Sequence, residues 1–151
     1  LKALQDHLLL AFTCVSRIAA DVAQCQLDNL QHGETELRAV RDTVDQAIAI
    51  LTSPSTDLIE FGRLLHEAWR IKRTLSTRIS TPVVDELYDT AIRAGAIGGK
   101  LLGAGGGGFM LLFVRPEDRS RVMAALHSYI VVPVKFESSG SRIVVYQPDG
   151  P

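Results

Sequence analysis

The chain has 151 residues, of which 46% are hydrophobic and 22% charged, and this is the composition of one ordinary globular domain. Its formal net charge of −1 argues against the basic surface that nucleic acids and anionic membranes attract, so we expect neither as a partner. No apolar run approaches the roughly 18 residues of a membrane-spanning helix, and two cysteines are too few for a disulfide framework. We therefore expect a cytoplasmic protein, and no metal site, since the four histidines show no metal-ligand spacing with the cysteines.

The first third of the chain predicts one strand followed by two helices. Residues 7–12 form a continuous apolar run that is typical of a buried strand. One helix is expected from the N-cap candidate Ser16 to Gly33, and the next from Glu34 and Glu36, whose charges suit a helix N-terminus. The second helix carries an apolar stripe of Leu37, Val40, Val44, Ala47, Ile48 and Leu51.

Two more helices are predicted in the middle of the chain. Residues 53–56, Ser-Pro-Ser-Thr, interrupt the chain and are expected to cap a third helix. The apolar stripe of that helix is Phe61, Leu64, Ala68, Ile71 and Leu75. Thr81 is the expected N-cap and Pro82 the first residue of a fourth helix, which Gly95 ends. Its apolar stripe is Val84, Leu87, Tyr88, Ala91 and Ile92.

The last third of the chain predicts mainly strands. These are expected at residues 99–102, 109–114, 131–136 and 142–146, with a fifth helix from Pro116. The apolar residues of that helix are Val122, Met123, Leu126 and Tyr129. Pro133 lacks an N–H group and therefore favours an edge position for its strand. The order β-α-α-α-α-β-β-α-β-β indicates an α+β fold with a mainly antiparallel sheet.

Residues 103–108 are the most unusual stretch, because five of the six are glycine. A hairpin needs one or two glycines, and each further glycine costs about 0.5–1 kcal/mol of unfolded-state entropy. We interpret the run as bare backbone that a ligand can approach and whose N–H groups can bind an anion, with a merely long hairpin as the alternative. The run is not a dinucleotide-binding fingerprint, because that motif opens a helix and an apolar strand follows here. It is not a Walker A loop either, because the glycine spacing differs and Leu101 stands where that motif needs Ser or Thr.

The nine residues from Lys100, Lys-Leu-Leu-Gly-Ala-Gly-Gly-Gly-Gly, resemble the third signature motif of the GHMP kinases. The resemblance implies the C-terminal domain of such a kinase, a ferredoxin-like, mainly antiparallel sheet with helices packed on it. In that family the motif lies against the active-site cleft, near the substrate and the ATP phosphates. The resemblance therefore implies a substrate- or phosphate-binding role for Lys100, Gly103, Ala104, Gly105, Gly106 and Gly107.

The predicted strand-to-helix junction at residues 13–17 is a further candidate. First-turn N–H groups favour an anion there, and Arg17 could hold a phosphate bidentately. The alternative is that Ser16 only caps the helix and that Arg17 is solvated. Sugar 1-kinases of the GHMP group have a similar Thr-Gly-x-Ser/Thr-Arg segment, which implies a binding role for Thr13, Ser16 and Arg17. Cys14 stands where that segment has glycine.

A secondary basic face is predicted on the third helix, where His66, Arg70 and Arg73 are spaced by four and three, with Lys72 adjacent. The alternative is an ordinary solvated face with Trp69 in the core. Leu-His-Glu-Ala-Trp at residues 65–69 resembles a segment of the heptose 7-phosphate kinase branch of the GHMP group, and residues 94–103 and 135–141 do so too.

The resemblance implies transfer of the γ-phosphate of Mg²⁺-bound ATP to the anomeric hydroxyl of a heptose 7-phosphate. The phosphate loop, the Mg²⁺ ligands and the catalytic residues of the family belong to an N-terminal domain whose motif is absent here, so we assign no catalytic residue to this chain. Because the chain begins with Leu1 rather than Met, we expect residues 1–151 to be one domain of a longer protein. Because the motif of the N-terminal domain is absent from them, we expect them to be inactive alone. Alternatives are a fucokinase- or galactokinase-like sugar kinase, a metabolite-binding module or a structural half, and a homodimer is left open.

Overall fold

The computed structural model describes residues 1–15 and 34–141. The predicted helix from Ser16 to Gly33 and the predicted strand at residues 142–146 therefore lie outside the described residues. In chain order the elements are α1 (Lys2–Asp6), β1 (Leu8–Phe12), α2 (Glu34–Thr52), α3 (Ile59–Thr74), α4 (Pro82–Arg93), β2 (Ala96–Leu101), β3 (Phe109–Val114), α5 (Arg119–Ala125) and β4 (Ile130–Pro133). No helix of the described ranges is long and apolar enough to cross a membrane.

The described strands form one antiparallel sheet of four strands in the order β2-β3-β1-β4. Helices α2, α3 and α4 lie between β1 and β2 in the chain, and α5 lies between β3 and β4. This is the β-α-β-β-α-β order of ferredoxin-like folds with added helices, so the predicted α+β class is confirmed. β4 is an edge strand of this sheet, as Pro133 predicted.

The main core lies on one face of the sheet. Side chains of β1 and β3 that share this face, such as Leu9 and its register partner Leu112, pack against α4 and α5. The helices contribute Val84, Leu87, Tyr88, Ala91, Val122 and Leu126, all buried. Helix α4 follows the prediction closely, with the Thr81 hydroxyl accepting from the Val84 N–H at 3.4 Å and Pro82 in the first turn.

A smaller core lies on the opposite face, where α3 covers β2 and β3. It is built on Leu8, Ile59 and Phe113. Farther from α3, the same face leaves Phe109 and Ile130 exposed, because no described helix covers that part of the sheet.

Two helix predictions need correction. α3 begins at Ile59 rather than directly after residues 53–56, because the Asp57 carboxylate accepts the Ile59 N–H at 3.0 Å. The stripe of α2 is only partly covered, since Val44 and Ile48 remain 55% and 56% exposed. Among the described elements α2 packs mainly against α3, which leaves the far side of the stripe uncovered.

Several boundaries also differ from the prediction. β2 begins at Ala96, earlier than the predicted 99–102, because pairing with β3 rather than side-chain alternation defines a strand that contains Gly98 and Gly99. β4 ends at Pro133, short of residue 136. A 3₁₀ turn, Pro116–Asp118, precedes α5, and the short helix α1 was not predicted.

Candidate functional site

The glycine run forms the loop that joins β2 to β3. Gly103, Gly105, Gly106 and Gly108 all have positive φ angles, between 78° and 133°, which side chains rarely adopt. Gly107 is required for a different reason, because a Cβ there would overlap the carbonyl oxygen of Val15. A positive φ angle or a close contact thus explains why each of these five positions is glycine.

Two other segments of the chain hold this loop by hydrogen bonds to its N–H groups. The Gly106 N–H donates to the Ile79 carbonyl at 2.9 Å, which ties the loop to the connection between α3 and α4. The Gly108 N–H donates to the Val15 carbonyl and to the Thr13 hydroxyl, both at 2.9 Å. The loop is therefore fixed in position rather than freely projecting.

Thr13 lies at the end of β1 and is 1% exposed. Its hydroxyl accepts from the Gly108 N–H and donates to the Gly108 carbonyl at 3.0 Å, and its own N–H donates to that carbonyl at 2.9 Å. The structure thus brings Thr13 and the glycine loop together, with the hydroxyl directed at the loop. Ser16 and Arg17 lie outside the described residues.

Cys14 has a φ of 57°, and of the described residues it is the one non-glycine with a positive φ. Its side chain is exposed. The left-handed conformation of a residue other than glycine costs roughly 1–2 kcal/mol. This explains why a glycine at this position of the related segment would fit the same backbone.

Alternate N–H groups of the loop have no acceptor among the described residues. Those of Gly103, Gly105 and Gly107 donate to none of the residues that the structure describes, whereas those of Gly106 and Gly108 are engaged. Free N–H groups on a fixed, left-handed backbone are the arrangement that binds anions in proteins. The loop can therefore accept a phosphate without first breaking its own anchoring bonds.

Two lysines lie beside the loop. The Lys72 ammonium, in the last turn of α3, donates to the Gly103 carbonyl at 2.8 Å. Burial, and secondarily the positive charge of Lys100 in β2, lowers the pKa of Lys72. The loop, the end of β1 and this pair of lysines make up the candidate site.

The other three members of the predicted basic face each contact a different residue. The His66 Nδ1 lies 2.6 Å from the Tyr88 hydroxyl, Arg70 pairs with Glu67 at 3.3 Å, and Arg73 pairs with Asp85 at 3.0 Å. Trp69 is 1% exposed in the main core. Only Lys72 of this group reaches the loop, so the structure does not gather the four into one cradle.

Arg70 and Arg73 do share a groove of about 710 Å³ between α2 and α3. Its lining also contains Glu36 and Glu67. Acidic and basic groups balance there, which gives the groove no preference for an anion.

The family model described as GHMP kinases C terminal matches residues 26–131. The chain belongs to the GHMP kinase family. It is 32% identical over 124 residues to the D-glycero-alpha-D-manno-heptose 7-phosphate kinase of Campylobacter jejuni, covering 82% of this chain and 36% of that protein.

Other relatives of this GHMP kinase chain are named as kinases of other sugars. A galactokinase of Mycobacterium tuberculosis is 32% identical over 125 residues, covering 72% of this chain and 33% of that protein. The bifunctional fucokinase/GDP-fucose pyrophosphorylase of Arabidopsis thaliana is 29% identical, covering 78% of this chain and 11% of that protein. The chain thus spans about a third or less of the length of these relatives.

Solved structures agree on the fold. The mevalonate kinase of Methanococcus jannaschii matches with a TM-score of 0.72 at 22% identity, covering 87% of this chain and 40% of that chain. The mevalonate kinase of L. major in complex with R-mevalonate matches with a TM-score of 0.69 at 22% identity, covering 80% of this chain and 37% of that chain. At this identity the likeness concerns the fold alone.

Sequence reasoning does not identify Lys72 or the backbone carbonyls of Val15 and Ile79 as anchors of the loop. Helical spacing places Lys72 on a basic face with arginines that point elsewhere, and Val15 and Ile79 act through their backbone carbonyls. A carbonyl carries no residue-type signal, so only the fold reveals this contact.

Proposed function

We propose that this chain is the substrate-side part of an ATP-dependent sugar kinase, and that the acceptor is the anomeric hydroxyl of heptose 7-phosphate. The observation that carries the proposal is the fixed glycine loop, whose available N–H groups lie on the same hairpin as Lys100 and beside Lys72. The family, and the relative that is named a heptose 7-phosphate kinase, support this chemistry.

Phosphoryl transfer depends mainly on positioning and on neutralising charge. In the proposed enzyme, the N–H groups of Gly105 and Gly107 and the lysine ammonium groups bind anionic oxygens of the ligands. Thr13 acts as a positioning residue, since its hydroxyl fixes the end of the loop. None of these groups is proposed as a catalytic acid or base.

ATP and Mg²⁺ are proposed to be held mainly by a further, N-terminal domain of a longer protein. Of the residues that the structure describes, no three acidic, histidine or cysteine side chains cluster in a way that fits a metal ion. The loop and the lysines do fit phosphate oxygens. When bound, Mg-ATP supplies the phosphoryl group, while this chain orients the acceptor.

A second candidate is a kinase of an unphosphorylated sugar, since one relative is a galactokinase and another contains a fucokinase. A third is a metabolite-binding module without catalysis. We further propose that the protein acts in the cytoplasm and that its partner is a small-molecule sugar phosphate rather than a nucleic acid.

A substrate panel tests the proposal. The longer protein that contains this chain is incubated with ATP, Mg²⁺ and heptose 7-phosphate, galactose or fucose, and ADP release is followed. We expect release with heptose 7-phosphate and none from residues 1–151 alone. Release with galactose or fucose only would favour the second candidate, and binding without ADP release would favour the third.

A further inference from the structure

The connection between α3 and α4 carries one of the contacts that hold the glycine loop. The Ile79 carbonyl in this connection accepts the Gly106 N–H at 2.9 Å. The Ile79 side chain is fully buried in the main core. The direction of the carbonyl therefore depends on the peptide unit between Ile79 and Ser80, because that unit is planar and turns as one body.

Ser76 holds the connection on the N-terminal side of Ile79. Ser76 is buried, its hydroxyl accepts the Arg78 N–H at 3.2 Å, and its carbonyl accepts the Ile79 N–H at 3.2 Å. These bonds fix the chain as far as the Ile79 N–H. The orientation of the Ile79 carbonyl then depends on what holds the chain after it.

Asp85, in the first turn of α4, holds that second side. Its Oδ1 atom accepts the Ser80 hydroxyl at 2.6 Å and the Arg73 guanidinium of α3 at 3.0 Å. The N-terminus of α4 is capped without this contact, since the Thr81 hydroxyl already accepts the Val84 N–H. One carboxylate oxygen therefore joins the last turn of α3, the connection and the first turn of α4.

The ion pair between Arg73 and Asp85 differs from the other ion pairs of the described residues. Each of the other five joins residues only three or four positions apart, whereas this one joins two helices. Its side chains are 35% and 37% exposed, so solvent screens the pair only in part. Isolated surface pairs hold little, but a half-buried carboxylate with two charge-assisted hydrogen bonds holds its partners more firmly.

We propose that Asp85 is a positioning residue of the glycine loop. It acts through Ser80 on the Ile79 carbonyl, and Arg73 keeps its carboxylate in place. The role is one of position alone, with no step of the chemistry assigned to these side chains. The effect on turnover rests on the proposed function, whereas the effect on the loop does not.

The other end of the loop supplies an internal reference. Gly108 is held by Thr13 and by the Val15 carbonyl, which belong to the end of β1 and its continuation. No printed contact of Asp85 or Ser80 involves these groups among the described residues. Loss of the Asp85 carboxylate is therefore expected to loosen the loop at Gly106 and to leave it held at Gly108.

Amide hydrogen exchange of the ¹⁵N-labelled chain, followed by NMR, tests the inference. Asp85→Ala and Ser80→Ala are each expected to speed exchange at Gly106 about tenfold, the usual effect of losing one charge-assisted hydrogen bond. Exchange at Gly108 is expected to stay within about twofold. Ser80→Thr keeps the hydroxyl and is expected to restore slow exchange at Gly106.

Arginine variants of α3 give a matched control. Arg73→Ala is expected to speed exchange at Gly106 about threefold, less than Asp85→Ala because the bond between Ser80 and Asp85 remains. Arg63 lies on the same helix and pairs with Glu60 within it, so Arg63→Ala is expected to change nothing at Gly106.

Two results would overturn the positioning role. The first is unchanged exchange at Gly106 in Ser80→Ala, which leaves the ion pair of Asp85 in place and so serves even if Asp85→Ala does not fold. The second is equal acceleration at Gly106 and Gly108, which would indicate a general loss of stability rather than a local one.

The longer protein separates this inference from the kinase proposal. With heptose 7-phosphate as acceptor, Ser80→Ala is expected to lower kcat/KM about tenfold, while Ser80→Thr and Arg63→Ala keep it. A protein that transfers no phosphoryl group, but whose Gly106 exchange responds to Ser80→Ala, would overturn the proposed function and leave the positioning role standing. An active kinase whose kcat/KM and Gly106 exchange both ignore Ser80→Ala would do the reverse.

Discussion

Gly62 of α3 and Gly98 of β2 meet backbone to backbone. A Cβ on Gly98 would overlap the Gly62 carbonyl oxygen, and a Cβ on Gly62 would lie 2.5 Å from the ring of Phe113. Two glycines therefore let the helix lie directly on the strand. This contact sets the distance between α3, which carries Lys72, and β2, which carries Lys100.

Gly98→Ala is expected to destabilise the fold by about 1–3 kcal/mol, because the added methyl group forces the helix away from the strand. Urea unfolding of both proteins measures the change. Gly103→Ala is a matched control, since its Cβ would meet nothing within 4 Å and only its φ of 79° is strained. Equal stability of Gly98→Ala and the wild type would contradict the close contact.

Cys14→Gly is expected to stabilise the chain by about 0.5–1 kcal/mol, because glycine removes left-handed strain at some cost in unfolded-state entropy. Cys14→Ala keeps the strain and removes the thiol, so it is expected to leave stability nearly unchanged. Thermal unfolding of the three proteins gives the comparison. A more stable alanine variant than glycine variant would show that the φ of 57° is not adopted.

Thr13→Val is expected to speed hydrogen exchange at the Gly108 amide and to cost about 1–2 kcal/mol, since it removes the hydroxyl that bridges β1 to the loop. Thr13→Ser keeps the hydroxyl and serves as the control. The measurement is amide exchange followed by NMR. Unchanged exchange at Gly108 in the valine variant would mean that Thr13 does not hold the loop.

Tyr88→Phe removes the hydrogen bond to His66 and is expected to cost about 1 kcal/mol near pH 7. Burial is the main cause that raises the pKa of Tyr88 above its usual 10.0. The neutral phenol therefore stabilises the fold fully below about pH 10, and this advantage falls as the pH rises toward the folded-state pKa. Urea unfolding of both proteins from pH 7 to 11 checks it, and a stability difference that grows above pH 10 would contradict the sign.

Helix ends and strands that depend on a local sequence pattern were predicted correctly. Thr81, Pro82 and Gly95 bound α4 as expected, and the apolar run of residues 109–114 is β3. Resemblance supplied the fold and the family. Contacts between distant segments were not predictable, because Gly62, Gly98 and the carbonyl of Ile79 act through their backbones.

The glycine run likewise combines a feature that the sequence predicts with contacts that only the fold determines. Its unusual composition pointed to the candidate site, but which of its N–H groups are engaged depends on β1 and on the connection between α3 and α4. Likewise, helical spacing groups Lys72 with Arg70 and Arg73, although Arg70 pairs with Glu67 of the same helix and Arg73 pairs with Asp85 of α4.

The most direct test of the kinase proposal is ³¹P NMR of the longer protein incubated with Mg-ATP and heptose 7-phosphate, comparing the wild type with Gly105→Val and Gly106→Val. Both glycines have positive φ angles, 133° and 78°, so valine deforms the loop. We expect a new anomeric phosphate signal with the wild type and none with either variant, at unchanged overall fold. Near-wild-type product formation in both variants would contradict a role for the loop, and no product with the wild type would contradict the proposed reaction itself.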